Sequence, residues 1–408
     1  MDKNFEIEEF KTKLFERAKE KGFTQYELSY GSSNSFSVRI FNGEISEYKN
    51  SSTRIAKFKG IFEGVMGNSS SELIDETVIE FLINSAIENA TIKDDEGEFL
   101  YEGDESYPEV PKISEELLIP DSQAKIGWAK EMEAYAKCLD SRIVSVDSCI
   151  VSNGYGNSIL ANSHGLSLSS QLGTANASIT VRASSNGKVK TGNGFFIGRD
   201  FTNFDPKEIA REAVEKAISK LESTNARTAD YEIIIENKMV INLFSAFISN
   251  FFAERVQKGL SLLNGKIGEK IGAEKLTIRD DYKHEKSIHA NAFDSEGVAT
   301  RNKIVIENGI LKTFLYNLKS AKQDDVKPTG NGFSGATSTN LFYIEPSETK
   351  LEGMMKKMEN GILITHLAGL HSGTNAISGD FSLQADGFTI ENGKKTKPIE
   401  NFVLSGNF

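Results

Sequence analysis

Two groups of residues in this chain have the chemistry of a hydrolytic or metal-binding site. The first is His284-Glu285-Lys-Ser-Ile-His289, which spells H-E-x-x-x-H. Two imidazoles and a carboxylate could supply two zinc ligands and a general base. The flanking residues are polar and typical of turns, and on a regular helix this spacing would rotate the two imidazoles apart. An accidental match in a loop is therefore favoured, and an autonomous metallohydrolase site is the alternative.

The second group lies near the C-terminus, in a segment rich in glycine, serine and asparagine. Glycines at this density allow the backbone to approach a ligand or another strand closely. A tight structural crossover is the favoured interpretation, and a cleft is the functional alternative. No Ser-His-Asp or Cys-His arrangement can be argued from the spacing alone. The candidate cleft residues are His366, His371, Asn375, Asp380 and Ser382.

A third motif, Gly330-Asn-Gly332-Phe-Ser-Gly335, matches the G-x-G-x-x-G pattern of dinucleotide-binding loops. That loop must follow a buried strand and open a helix, so that the pyrophosphate meets the helix N-terminus. Polar residues precede the motif here, and Thr-Ser-Thr-Asn follows it. The context predicts a flexible loop and not a nucleotide site.

Charge and composition exclude several classes of protein. The net charge of −11 argues against nucleic-acid binding, which requires clustered Lys and Arg. No apolar stretch reaches the roughly 18–20 residues of a membrane span, and the acidic N-terminus lacks the pattern of a signal peptide. Cys138 and Cys149 are interpreted as free thiols in a reducing compartment, although the sequence does not show whether they are close in space. We expect a cytoplasmic protein.

Helical and strand periodicities both occur, which predicts an α+β fold. The Asn42-Gly43 pair predicts a hairpin turn, and turn residues at 153–154, 162–165 and 186–187 predict an antiparallel meander. Asp205-Pro206 has the pattern of a helix start. Glu-Asn-Gly at 307–309 and 391–393 predicts hairpins, and at 359–361 a helix stop. Helices are predicted across 5–21, 73–88 (with Val78, Phe81, Leu82 and Ala86 on its buried face), 122–138 and 238–258.

Two polar stretches are candidate domain connections. Residues 93–120 are acidic and hold three of the seven prolines, and residues 222–229 form a mainly polar stretch. Segments of this composition bury little apolar surface, so both are expected to be exposed. The helix across 238–258 is apolar nearly all round, which is typical of a helix buried in a core or an interface.

The run from Gly369 to Gly393 resembles the C-terminal signature of the TldD/PmbA family, once called modulators of DNA gyrase. Further ordered matches lie at 256–269, 293–300 and 306–312. The resemblance implies an N-terminal α/β layer domain (1–110), a central antiparallel-sheet domain (111–225) and a larger C-terminal mixed or antiparallel β domain (226–408) that contains a buried helix. It also implies a twofold or pseudo-twofold dimer.

In the TldD branch of that family, H-E-x-x-x-H lies on the helix before a K-G-x-S turn, and a cysteine near the C-terminus completes the zinc site. Counted back from Lys258-Gly259, the corresponding positions here hold Phe244, Ser245 and Ser249, and no cysteine follows Cys149. Phenylalanine cannot ligate zinc, serine is a poor ligand, and Ser245 cannot serve as the carboxylate base. The chain therefore resembles the PmbA/TldE branch.

The resemblance implies a metal-free, non-catalytic subunit that pairs with a TldD-type chain. That partner would carry the zinc and hydrolyse unstructured peptides, and this chain alone would form an inactive homodimer. Two alternatives stay open. One is a non-enzymatic regulatory or binding protein, in line with the gyrase-modulator name. The other is the autonomous metallohydrolase that uses His284, Glu285 and His289.

Overall fold

The computed structural model describes residues 3–93 and 97–408. Helices and strands are mixed along the chain, so the predicted α+β class is confirmed. The α-helices are α1 (Lys3–Glu20), α2 (Ile79–Ile92), α3 (Ser122–Leu139), α4 (Pro206–Ser219), α5 (Asn237–Phe247), α6 (Ala253–Gln257), α7 (Leu318–Gln323) and α8 (Leu351–Met358). The strands are β1 (Gln25–Phe41), β2 (Glu44–Phe62), β3 (Val65–Ser71), β4 (Ile143–Asn162), β5 (Ser167–Ser185), β6 (Lys188–Gly198), β7 (Thr224–Asn225), β8 (Ile233–Ile235), β9 (Ile278–Asp281), β10 (Lys303–Glu307), β11 (Ile310–Leu311), β12 (Gly332–Phe333), β13 (Ala336–Thr337), β14 (Leu341–Ile344), β15 (Gly361–Ala368), β16 (Asp380–Glu391) and β17 (Lys394–Asn407).

The first half of the chain builds a six-stranded antiparallel sheet in the order β3-β2-β1-β4-β5-β6. Tight turns join its long hairpins where the sequence predicts them. Asn42 and Gly43 both have positive φ, 52° and 80°, as a two-residue hairpin turn requires. The β1–β4 pairing crosses the predicted boundary at residue 110, so the N-terminal and central regions share one sheet. The division into three domains stays a prediction.

Helices cover one face of this sheet in two groups. Apolar residues of α1 and α2 pack on the β1–β2 side, and those of α3 and α4 pack on the β4–β6 side. Asp205 caps α4 with its carboxylate, and Pro206 occupies the first turn, as predicted. A Cβ on Gly194 of β6 would lie 2.0 Å from the Ile209 carbonyl oxygen, so glycine lets α4 approach the strand this closely.

The C-terminal half contains a five-stranded sheet in the order β7-β17-β16-β15-β8 and a four-stranded sheet in the order β11-β10-β9-β14. The edge strands β7 and β8 pair in parallel with their neighbours, and the other pairs are antiparallel. The expected mixed or antiparallel β region with a buried helix is therefore confirmed.

The predicted helix across 238–258 is interrupted. It consists of α5, a 3₁₀ turn at Ile248–Phe251 and α6. The amide of the buried Asn250 contacts the carbonyls of Phe247 and Ala376 and accepts from the Leu262 N–H. These bonds replace regular helical bonds. Phe247 and Phe251 are buried as predicted. Ile241 is 68% exposed, so α5 is buried on one face only.

The prediction that residues 93–120 are an exposed connection is wrong for the part that the structure describes, which excludes 94–96. Leu100 and Leu117 are buried. Asp104 accepts from the Ala299 N–H at 2.7 Å, so this segment lies against the C-terminal half. The acidic composition predicted a solvated segment. Composition alone cannot show contacts with residues that are distant in sequence. Residues 222–229 are mostly exposed, as expected.

Three smaller predictions from the sequence need comment. Asn153-Gly154 is not a turn and lies inside β4, where cross-strand pairing continues on both sides. Phe81 is 57% exposed because the buried face of α2 is formed by other apolar residues, among them Leu82 and Ala86. Cys138 is exposed and Cys149 is buried, and both are free thiols in the described part of the chain.

The remaining turn predictions are confirmed. Asn308-Gly309 and Asn392-Gly393 form hairpin turns with positive φ, and Glu359 ends α8 with φ 62°. Gly332–Phe333 and Ala336–Thr337 form a short hairpin, so the G-x-G-x-x-G motif is a loop and not the start of a helix. Among the described helices, none is long and apolar enough to cross a membrane.

Candidate functional site

A cavity of about 290 Å³ lies between the six-stranded sheet and the five-stranded C-terminal sheet. Strand β6 and the end of α4 form one wall, and β15, β16 and β17 form the other. Lys190 and Glu400 form an ion pair across the cavity wall, joining β6 to β17. The residues that line it are Val189, Lys190, Thr191, Asn193, Lys220, Ser223, Thr365, His366, Asp386, Gly387, Phe388, Pro398, Ile399, Glu400 and Asn401.

His366 is the only one of the five candidate cleft residues that lines this cavity. It lies on β15 opposite Asp386 of β16, at an irregularity in the register of the two strands. His366 Nδ1 is 3.2 Å from Asp386 Oδ2, and Asp386 also accepts from the Asn401 N–H at 3.1 Å. The hydrogen bond from His366 lowers the pKa of Asp386, which is therefore a carboxylate at neutral pH.

Lys220 follows directly after α4 and is the least neutralised cation of the cavity. Its Nζ makes one long hydrogen bond, 3.5 Å, to the Thr191 carbonyl oxygen. Among the residues that the structure describes, no carboxylate lies within ion-pair distance of this ammonium. Burial lowers the pKa of Lys220, and the nearby Asp386 opposes that shift. Lys220 could not be found from the sequence, because a lysine at a helix end is usually a solvated cap.

The other four cleft candidates do not converge on a site. His371 is exposed. The side-chain Oδ1 of Asn375 accepts from the Ile377 and Ser378 N–H groups and so closes a turn. Asn407 donates to Asp380, which lowers the pKa of that carboxyl, and Ser382 lies beside Ser405. These contacts hold the end of the β16–β17 hairpin together, in line with the structural crossover that the sequence favours.

The literal H-E-x-x-x-H motif lies in the loop after β9. His284 packs edge-on against Tyr343 and accepts from the Lys286 N–H, and Glu285 is exposed. Burial lowers the pKa of His289, whose Nδ1 has no hydrogen-bond partner within the described residues. The loop lines a small pocket of about 80 Å³ together with basic side chains such as Arg199. Over residues 3–93 and 97–408, no cluster of three or more His, Cys, Asp or Glu could hold a metal ion.

Buried carboxylates also occur away from this cavity. Glu27 of β1 is 2% exposed and bonds to Lys59 of β2 at 3.1 Å. Asp294 accepts from the N–H groups of Gly332, Val298 and Glu296, yet burial raises its pKa to about 7. Each carboxyl group is bonded to partners from its own half of the chain, which is typical of a structural role.

The segment that the TldD-type resemblance aligns with a zinc helix is packed with aromatic rings. Phe244 lies edge-on against Phe408, and Phe247 stacks on the same ring with the two centroids 4.6 Å apart. The Ser245 hydroxyl donates to the Asn242 carbonyl oxygen at 2.7 Å. Phe244, at the first of the aligned positions, is therefore packed against an aromatic ring and offers no donor atom.

Comparison with known families decides the relationship. Residues 228–408 match the model of the PmbA/TldA metallopeptidase C-terminal domain, and residues 115–221 match that of the PmbA/TldA metallopeptidase central domain. The chain belongs to the PmbA/TldD family. The resemblance inferred from the run between Gly369 and Gly393 is thereby confirmed.

Individual relatives agree with the family models. Metalloprotease PmbA of Escherichia coli O157:H7 is 28% identical over 284 residues, which are 69% of this chain and 62% of that protein. This alignment therefore spans less than two thirds of the Escherichia coli protein. A Thermotoga maritima structure, described as a modulator of a DNA gyrase, superposes with a TM-score of 0.92 at 33% identity and covers 98% of this chain and 92% of that one.

TldE of Thermococcus kodakarensis has the same fold, with a TM-score of 0.90 at 24% identity over 98% of this chain and 91% of that one. The matching family models are metallopeptidase domains. The residues at the aligned zinc positions can therefore be tested for their ability to bind zinc. Phe244 offers no donor atom, and Ser245 and Ser249 are neutral hydroxyls. These residues do not fit a zinc site.

Proposed function

We propose that this chain is a metal-free, PmbA/TldE-type subunit that completes a peptidase together with a TldD-type chain. The packing of Phe244 on Phe408 carries the proposal, because it places an apolar contact at one of the positions where a TldD-type zinc helix would carry a ligand. The TldE fold of the Thermococcus kodakarensis protein supports the same assignment.

In this proposal the two chains divide the work. The partner would supply zinc, a zinc-activated water and a glutamate base, and it would cleave unstructured peptides. This chain would supply one wall of an enclosed cleft and the contact surface. We place the complex in the cytoplasm, since both cysteines of this chain are free thiols and Cys138 is exposed.

A reconstitution experiment tests the proposal. This chain, a TldD-type chain carrying H-E-x-x-x-H, and a mixture of the two are assayed on an unstructured peptide, with mass spectrometry to detect cleavage. We expect cleavage only in the mixture, and we expect it to disappear when the partner's glutamate is changed to glutamine. Cleavage by this chain alone, or a mixture as inactive as its components, would refute the proposal.

We also propose that this chain forms a homodimer through its C-terminal half when the partner is absent. Ile241 of α5 is 68% exposed and Met354 of α8 is 43% exposed. These apolar side chains of the C-terminal half are therefore available for a contact with a second copy of the chain. A contact of this kind would bury well over about 2,000 Å² in total. Light scattering should give a dimer at micromolar concentration, and a monomer at that concentration would rule the homodimer out.

A further inference from the structure

The charged side chains of the cavity at His366 are unevenly paired. They are two lysines and two carboxylates. Lys190 and Glu400 neutralise each other directly. Asp386 is occupied by His366 and by a backbone N–H. Lys220 alone is left with an ammonium that no described carboxylate contacts.

Hydrogen-bonding capacity points the same way. An ammonium has three donors, and Lys220 uses one of them in a 3.5 Å contact with the Thr191 carbonyl oxygen. Its stem is half-buried, so bulk water does not fully replace the missing partners. His366 Nδ1 faces Asp386, so in the neutral ring Nε2 carries a lone pair and cannot donate to a ligand. The unused donors of the Lys220 ammonium therefore line the cavity.

The remaining lining limits what can occupy the space. Asp386 and Glu400 would repel a second negative charge, which disfavours a dianion such as phosphate. Val189, Phe388 and Pro398 provide apolar contacts for a short side chain. A volume of about 290 Å³ holds at least about ten non-hydrogen atoms, at about 30 Å³ for each water-sized group.

We propose that this cavity binds a small monocarboxylate of amino-acid size, with its carboxylate held by the Lys220 ammonium. The ligand carboxylate would form an ion pair with the Lys220 ammonium, and the apolar residues would contact the rest of the ligand. A free acid and the C-terminal carboxylate of a short peptide share this chemistry. The proposal concerns this chain alone and does not depend on the proposed pairing with a TldD-type chain.

Ligand-observed NMR titrations of the purified full chain test the proposal. N-acetylalanine is the probe, and N-acetylalaninamide is its neutral control. We expect the acid to bind and the amide not to bind. Charge-assisted hydrogen bonds are the strong ones, so Lys220→Met should weaken binding of the acid by about tenfold or more. Binding of the amide as tight as that of the acid, or inorganic phosphate binding tighter than the acid, overturns the proposal.

Matched variants separate binding from folding. Lys207→Met changes a lysine at the other end of α4, 3.4 Å from Glu131, and should leave binding unchanged. Thermal unfolding followed by circular dichroism shows which variants are folded. Unchanged affinity in folded Lys220→Met contradicts the proposal.

A last pair of probes identifies the source of the carboxylate. Tetra-alanine with a free C-terminus is compared with the amidated peptide. Binding of the free peptide, with the same loss in Lys220→Met, assigns the site to peptide termini. Binding of N-acetylalanine without binding of either peptide assigns it to free small acids. If neither N-acetylalanine nor the free peptide binds, the proposal is overturned.

Discussion

The six-stranded sheet and the C-terminal half of this chain are specified by different kinds of information. In the sheet, strand alternation and Asn-Gly turns act over short distances in sequence, and the structure follows them closely. In the C-terminal half, buried polar side chains such as Asn250 and Asp294 bond to backbone groups far away in sequence. The comparison teaches that local patterns predict the sheet, and that only tertiary contacts define the C-terminal half and the cavity between them.

The largest expected effect is the loss of the aromatic stack in the C-terminal half. Phe247 is fully buried and stacks on Phe408, so Phe247→Ala leaves a cavity. We expect the free energy of unfolding to fall by about 3–5 kcal/mol in urea titrations. Phe81→Ala is the control, because Phe81 is largely exposed, and it should change stability by less than about 1 kcal/mol. Equal losses in the two variants would contradict this assignment of the cores.

A smaller loss is expected when the buried amide is removed. Asn250→Ala leaves the Ala376 carbonyl and the Leu262 N–H without their partner. Unsatisfied buried groups cost about 1–3 kcal/mol, so stability should fall by about 2–3 kcal/mol. Asn157→Ala on the exposed part of β4 should have almost no effect. If Asn250→Ala were neutral, polar contacts would not be what fixes this region.

The sheet should be sensitive to crowding instead. Gly194→Ala places a Cβ 2.0 Å from the Ile209 carbonyl oxygen, whereas a Cβ on Gly154 would have its nearest neighbour at 3.7 Å. Overpacking costs about 1–3 kcal/mol, and Gly194→Ala should lose that amount. Gly154→Ala should be tolerated or slightly stabilising. The urea midpoints of the two variants measure the difference, and a tolerated Gly194→Ala would show that α4 is not tightly packed on β6.

A further expected effect concerns pH and the buried carboxylate of Asp294. Its folded pKa of about 7 lies above the value of about 3.9 in an unfolded chain. Its contribution to stability is therefore present below about pH 4 and is lost as pH rises toward 7, with a slope of at most about 1.4 kcal/mol per pH unit.

The corresponding variant is Asp294→Asn, which should flatten this part of the pH profile of the urea midpoint between pH 4 and 7. Asp121→Asn, at the exposed start of α3, should keep the wild-type slope. A profile of Asp294→Asn that is parallel to the wild type would show that Asp294 is ionised throughout.

The site was less predictable from sequence than the fold. His366 was among the candidate cleft residues named from the sequence, and it lines the cavity. Asp386 and Lys220 were not, since they are 20 and 146 positions away from it in sequence and meet it only through strand pairing and the packing of α4 on β6. The dense motif at His284–His289 attracted attention but lies in a loop without a third ligand, because sequence adjacency does not ensure convergence.

The absence of a metal site from this chain is the central claim, and elemental analysis of the purified protein tests it most directly. The wild-type chain and His284→Ala are dialysed without chelator and their zinc content is measured by mass spectrometry. The account predicts that neither protein holds stoichiometric zinc, because Phe244, Ser245 and Ser249 offer no ligand set. About one tightly bound zinc per chain in the wild type, lost in His284→Ala, would contradict it.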